Sequence, residues 1–317
     1  YPVAQSKLTQ LYTDKTLDFI QKNQARPFFV YLPMVMPHKP LAASDDFYTP
    51  DTPEDLYADV MAELDYSVGR ILDRLQSLNL DKNTLVIFTS DNGPFYGGST
   101  GGLRGMKGRT WEGGLRVPMI ARMPGAIPAG VVNNNPAATI DILPTICRLV
   151  GADLPSDRIL DGVNILPMMM DAKTESGHEA IFGMKGNGLS CIRSGKWKLH
   201  VADPGPVNMF DLSPEMARQW VDPRAPNGVS ILAPFEQSRP TDYPGVVTGV
   251  DPEPMMLFDL EADPGEQRNL ASQHPDVVKR LKALFDATSK EVPGFPAPET
   301  SYLFREPELP VNIPGGG

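Results

Sequence analysis

TLVIFTSDNG, from Thr84 to Gly93, runs a strand-forming segment directly into an acid, an amide and a glycine. Thr84 to Ser90 is too short for a helix, rich in β-branched residues and apolar on both faces, the pattern of a parallel strand covered by helices. Asp91, Asn92 and Gly93 then fall at its carboxyl end. In open α/β sheets ligands bind at that edge, where loops converge on a crevice. An Asn-Gly pair taken alone is an ordinary turn. A carboxylate beside an amide oxygen also offers two hard ligands, suited to Ca2+ or Mg2+ rather than to a soft metal.

Toward the amino terminus, Leu56, Val60, Leu64, Val68, Ile71, Leu75 and Leu78 recur at spacings of three and four and predict a long helix. Thr52-Pro53-Glu54-Asp55 supplies its start, with a hydroxyl cap, proline in the first turn and acids near the positive end of the dipole. Earlier still, Leu8, Leu11, Tyr12, Phe19 and Ile20 mark one helical face, and PFFVYL (27–32) reads as a short buried strand. Toward the carboxyl terminus, VPMIA (117–121) is a further strand, and Asp141 to Val150 a helix ended by Gly151. Helix and strand alternate, so residues 1–174 are expected to form an α/β unit, part of a mixed or parallel sheet flanked by helices. From about residue 175 the texture changes. AIFGMKG, LSCIRSGKWKLHV and MLFDL are strand-like, a Pro-rich stretch runs from Asp203 to Pro254, and Val277, Leu281, Leu284, Phe285 and Thr288 mark a closing helix over 275–291. Residues 175–317 are therefore expected to form a smaller α+β subdomain with an antiparallel sheet.

The 317 residues, 41% of them hydrophobic, suffice for a substantial core. No run of eighteen apolar residues predicts a membrane span, and the first twenty lack a signal pattern, so a processed or truncated chain is expected. A formal net charge of −10 disfavours nucleic acid, which needs a basic surface. Cys147 and Cys191 form no CxxC pair, so a zinc module or disulfide scaffold is not expected, and one bridge is left open.

Within this acidic chain the segment from Gly101 to Arg122 carries Arg104, Lys107, Arg109, Arg116 and Arg122 against the single acid Glu112. Its glycines, among them Gly105, Gly108, Gly113 and Gly114, permit close backbone approach, as an anion-holding loop needs. A solvated surface loop is the plain alternative, but Trp111 and a following apolar strand argue for anchoring. His38 follows PFFVYL by six residues, between Pro37 and Pro40, so a second strand end delivers an imidazole to the same edge. That position suits a general acid. His178, His200 and His274 are read as structural.

Taken together, PFFVYLPMVMPHKPL, ELDYSVGRILDRL, TLVIFTSDNG, LRGMKGRTWEGGLRVP and LFDLEADPGEQRNLA, in this order, resemble the sulfatase family of the alkaline phosphatase superfamily. The resemblance implies an alkaline-phosphatase-like fold and hydrolysis of sulfate esters by S–O cleavage. It implies that Asp91 and Asn92 supply part of a Ca2+ site, that Lys107 contacts the sulfate and the leaving oxygen, and that His38 does likewise and protonates the leaving alcohol. Glu112 and Arg116 match positions assigned to loop structure. The family's formylglycine arises from a C/S-x-P-x-R motif, and neither Cys147 in CRLVG nor Cys191 in CIRSG matches it. The nucleophile and two further acidic metal ligands are therefore expected on a missing amino-terminal segment or a companion chain, and the 317-residue chain alone is expected to be inactive. The implied partner is a sulfated small molecule or glycan, and the implied location periplasmic, secreted or lysosomal. Two other readings stay open: a phosphate or phosphonate ester hydrolase of the same superfamily, and a non-catalytic protein that binds sulfated glycans.

Overall fold

A computed structural model describes residues 5–38, 41–49, 56–95, 98–207 and 249–292. The protein is a mixed α/β chain with a separate antiparallel sheet and a terminal helix. Helices α1 (Leu8–Asn23) and α2 (Leu56–Ser77) pack together. α2 buries Leu56, Val60, Leu64 and Leu75, as the spacing predicts; its expected start at Thr52 to Asp55 lies outside the described residues. α1 forms but turns a different face inward. Thr9, Thr13, Thr16, Leu17 and Ile20 are buried, whereas Leu11 and Phe19 are exposed. Threonine is tolerated inside because its hydroxyl bonds one turn back: Thr13 Oγ1 donates to Thr9 O at 2.8 Å and Thr16 Oγ1 to Tyr12 O at 2.9 Å.

Strand β1 (Val86–Thr89) pairs antiparallel with β2 (Met119–Arg122), Val86 opposite Arg122 and Thr89 opposite Met119. The parallel reading of Thr84 to Ser90 is thus corrected for its described neighbour. A parallel pair needs a crossover connection, usually helical, and the segment between these strands holds only the single-turn helix α3 (Glu112–Leu115). No described strand lies along the other edge of β1. The expected strand at 27–32 is not paired either. Its side chains alternate as a strand's would, Phe29 and Tyr31 outward and Phe28, Val30 and Leu32 half-buried, but it forms no ladder with a described strand.

Helix α4 (Ile142–Val150) ends at Gly151 in the left-handed region, φ 70°, and a short α5 (Leu166–Met170) follows. Strands β3 (Ile181–Lys185), β4 (Gly188–Ser194), β5 (Trp197–His200) and β6 (Met256–Asp259) form an antiparallel sheet in that order. Helix α6 (Pro275–Glu291) covers one face, where Ile192, Leu199 and Leu257 meet Leu281 and Phe285. The alternation of β6 sends Met256 and Phe258 to the opposite face, against Trp111. The sheet is consequently clamped between α6 and the loop that leads into α3. Most of the Pro-rich stretch, residues 208–248, lies outside the described residues. Cys147 and Cys191 are free thiols, and no helix among the described residues is long and apolar enough to cross a membrane.

Candidate functional site

Two hydrogen-bonded loops and one anchored turn build the site. Asp91, Asn92, Gly93 and Pro94 follow β1, and the loop from Arg104 to α3 folds back on them. Gly93 N–H donates to Gly114 O at 3.0 Å, and Lys107 N–H to Pro94 O at 2.9 Å. Gly93 is required by this approach, because a Cβ there would run into the carbonyl of Gly113, and Gly114 lets the loop close on the carbonyls of Arg109 and Met106. Gly108, beside Lys107, has φ 82°. On the other wall, His38 N–H donates to Val35 O at 3.0 Å, and the following segment is pinned to α2. There Glu63 accepts Ser44 N–H and Asp59 accepts Thr49 N–H, each at 2.9 Å, while Met36, Leu41, Ala42 and Ala43 join the α2 core.

His38, Asp91, Asn92 and Lys107 all line one cleft of about 2490 Å³. The Lys107 ammonium has no hydrogen bond or ion pair among the described residues, and neither has the Asp91 carboxylate. Asn92 Nδ2 donates to Gly93 O at 3.0 Å, which leaves its amide oxygen available. Asp91 and Asn92 therefore fit a hard cation in kind. In number they fall short of the six to eight oxygens that Ca2+ takes, and no group of three or more His, Cys, Asp or Glu converges among the described residues.

The cationic segment divides by burial. Arg104, read from sequence as a candidate for holding an anion, is 2% exposed and turned into the protein. Its guanidinium lies 3.8 Å from the Trp111 ring centroid and donates to Glu266 O at 3.0 Å and Val250 O at 2.6 Å. Arg122 is 3.9 Å from Asp81. Lys107 and Arg116 are the two cations of the segment that line the cleft.

Behind the loop is a buried ionic cluster that sequence reading left unassembled. Lys198 Nζ is 2.9 Å from Glu112 Oε1 and 3.0 Å from Glu266 Oε1, and Glu266 Oε1 is 2.7 Å from His200 Nε2. Glu112 N–H donates to Glu266 Oε2 at 2.6 Å. Burial would lower the Lys198 pKa, but the two carboxylates outweigh it and hold the ammonium above its ordinary range. Burial would likewise raise Glu266, yet Lys198 and His200 keep it below the usual carboxylate range. For His200 burial prevails over the Glu266 hydrogen bond and depresses the imidazole pKa. Burial pushes the Cys191 thiol up to about 11, which makes it a poor nucleophile. The visible sequence signal was the alternation in KWKLH: Lys198 and His200 are two apart on one strand and so share the face opposite Leu199.

These shifts set a pH dependence. The unfolded chain takes up protons at histidine below about pH 6.5 and at glutamate below about pH 4.3, while folded His200 and Glu266 resist them. The contribution of these two groups to stability is therefore full above about pH 6.5 and falls as the pH drops, by up to about 1.4 kcal/mol per unit for each proton. Lys198 works in the other direction: its contribution is present below about pH 10.4 and is lost as the pH rises toward its folded value. Urea midpoints between pH 7.5 and 4.5 check the acid limb, and a flat profile contradicts it.

His178 and His274 have structural partners. His178 Nε2 lies 2.7 Å from the buried Asp141 Oδ1, and the His274 ring is 4.8 Å from that of Trp197.

Residues 2–152 match the sulfatase family model, and residues 176–302 match the model for the C-terminal region of aryl-sulfatase. N-acetylgalactosamine-6-sulfatase of Canis lupus familiaris is 35% identical over 304 residues, covering 92% of this chain and 54% of its own. Steryl-sulfatase of Homo sapiens is 33% identical over 307 residues, covering 93% and 50%. A solved structure from a Bacteroides thetaiotaomicron locus for the metabolism of multiple glycosaminoglycans superposes with a TM-score of 0.67 at 27% identity, covering 90% of this chain and 55% of that one. The chain spans about half the length of the curated relatives it matches.

Proposed function

Because the chain belongs to the sulfatase family, we propose that its cleft is one part of a site that hydrolyses sulfate esters by S–O cleavage. The observation that carries this reading is that His38, Asp91, Asn92 and Lys107 all line the same cleft, with the Lys107 loop hydrogen-bonded to the turn after β1. In the reacting ester the S–O bond lengthens and negative charge grows on the bridging oxygen. The Lys107 ammonium stabilises that charge and holds the sulfate. His38 gives its proton to the leaving oxygen, which departs as the neutral alcohol. Ca2+ at Asp91 and Asn92 would polarise the sulfate oxygens, and a formylglycine on further polypeptide would supply the nucleophile. Loop-held Arg116 adds positive potential at the cleft.

The same reading assigns the rest of the cleft to polypeptide. At about 2490 Å³ it exceeds an ordinary ligand pocket of roughly 300–1,000 Å³, and its walls include Leu64, Val68 and Ile71 of α2 and Ile142, Ile146 and Leu149 of α4. Protein interiors are close-packed, so walls of this kind call for side chains between them. The edge of β1 that no described strand pairs and the strand-like segment 27–32 border the same space and offer backbone partners to incoming strands. A segment of the family's remaining length, in the same polypeptide or a companion chain, meets that need. An exported location, periplasmic, secreted or lysosomal, accompanies the assignment. The relatives' names couple sulfate to an amino sugar in one case and to a steryl group in the other, so the alcohol is assigned only as a sulfated small molecule or glycan.

The test compares a mass-verified 317-residue chain with the completed polypeptide on an aryl sulfate, an aryl phosphate and an aryl phosphonate, with Ca2+ and with a chelator. Sulfate turnover confined to the completed polypeptide and lost with the chelator is expected. Turnover by the 317-residue species overturns the need for completion, and a preference for the phosphate or phosphonate overturns the sulfate assignment.

A further inference from the structure

The geometry points to Lys198 as the positioning residue for Lys107, acting through the two carboxylates that hold the base of its loop. This inference rests on the role proposed for Lys107. The loop leaves Arg104, turns at Lys107 and returns to Glu112, and both ends are tied to distant parts of the chain. At the first end, Arg104 bonds the carbonyls of Glu266 and Val250 and lies under Trp111. At the second, Glu112 receives Lys198 on its carboxylate and gives its own N–H to Glu266. Gly113 N–H closes the base on Arg104 O at 2.7 Å.

Lys198 bridges the two anchoring carboxylates while its side chain is only 1% exposed. Glu112 and Glu266, 5% and 0% exposed, would otherwise repel each other. The cluster would then take up a proton, on a carboxylate or on His200, or the two carboxylates would move apart, and either change shifts the start of α3 relative to Arg104. Lys107 lies between those two points and has no side-chain tether of its own among the described residues. Its ammonium therefore goes where the loop base puts it. Arg193 Nη1, 3.5 Å from Glu112 Oε2, is more exposed and longer in reach, so it does not replace the bridge.

A general stabilising role and a positioning role separate in two measurements. Hydrogen exchange on the purified protein and on Lys198→Met reads the loop directly. The amides of Lys107, Arg109 and Gly113 are expected to exchange about tenfold faster in the variant while Ile192 and Leu199, in the sheet, keep their protection. Equal acceleration in loop and sheet, or none in the loop, overturns the inference. In the completed polypeptide, Lys198→Met is expected to lower kcat roughly 10- to 100-fold, and to have no further effect in a Lys107→Ala background. The same fractional loss in both backgrounds means fewer folded molecules and also overturns it. Should Lys198→Met fail to fold, Lys198→Gln, which keeps a hydrogen-bond donor but removes the charge that offsets the two carboxylates, takes its place in both measurements with the same expectations. If Lys107→Ala itself leaves turnover unchanged, the functional reading fails while the exchange data still judge the clasp.

Discussion

Lys107→Ala in the completed polypeptide lowers kcat for an aryl sulfate by roughly 100- to 1,000-fold, the loss expected when one charge-stabilising group is removed from a developing oxyanion. The melting temperature stays where it was. Both halves of this expectation come from the same observation: the Lys107 ammonium makes no hydrogen bond or ion pair among the described residues, so its removal takes no contact from the fold. The backbone bond from its N–H to Pro94 O is kept by alanine. Steady-state kinetics on an activated and an unactivated aryl sulfate refine the result. An ester whose leaving group is already a weak base needs less help, so the loss should shrink as the leaving-group pKa falls. A loss independent of the leaving group would mean that Lys107 only binds sulfate, and no loss at all would remove it from the site.

Trp111→Ala should destabilise the protein by about 3–5 kcal/mol, the range for deleting a large buried aromatic, against about 5–15 kcal/mol for a whole typical domain. The indole is completely buried and packs between His200, at 4.7 Å between ring centroids, and Phe258, at 6.0 Å. Its Nε1–H donates to Gly205 O at 3.0 Å, and its face carries the Arg104 guanidinium. Removing it opens a cavity between the β3–β6 sheet and the loop and leaves the Gly205 carbonyl without this donor. Chemical denaturation monitored by far-ultraviolet circular dichroism, which does not depend on the lost indole, gives the number. A change below about 1 kcal/mol would show that the loop is not part of the sheet's core. Trp111→Phe, which retains part of the aromatic packing and loses the hydrogen bond, should cost less than the alanine variant but at least about 1–3 kcal/mol through the unpaired carbonyl.

The elements most legible in sequence were those with strong periodicity and local stop signals. The repeat from Leu56 to Leu75 forms α2, Gly151 ends α4 in the left-handed region, and the closing helix spans Pro275–Glu291. Where local pattern failed, a partner decided. α1 buries threonines that any hydropathy reading places outside, since an internal hydrogen bond within the helix satisfies their hydroxyls. PFFVYL has the composition of a strand, but strands exist through neighbours, and none of the described residues pairs with it.

The same division runs through the site. Motif order carried the resemblance to sulfatases, and residue type, from His38 to Lys107, pointed to a hard cation and an anion, because such donors are chosen by their functional groups and those are written in the chain. Which cations face the cleft was not written there: Arg104 and Lys107 are three residues apart and both cationic, yet one is stacked under Trp111 and the other reaches the open wall. Nor was the cluster of Glu112, Lys198, His200 and Glu266, whose members are separated by up to 154 residues. Only folding brings such charges together, and only the loss of water around them makes their pairing strong enough to set where a loop, and the lysine on it, comes to rest.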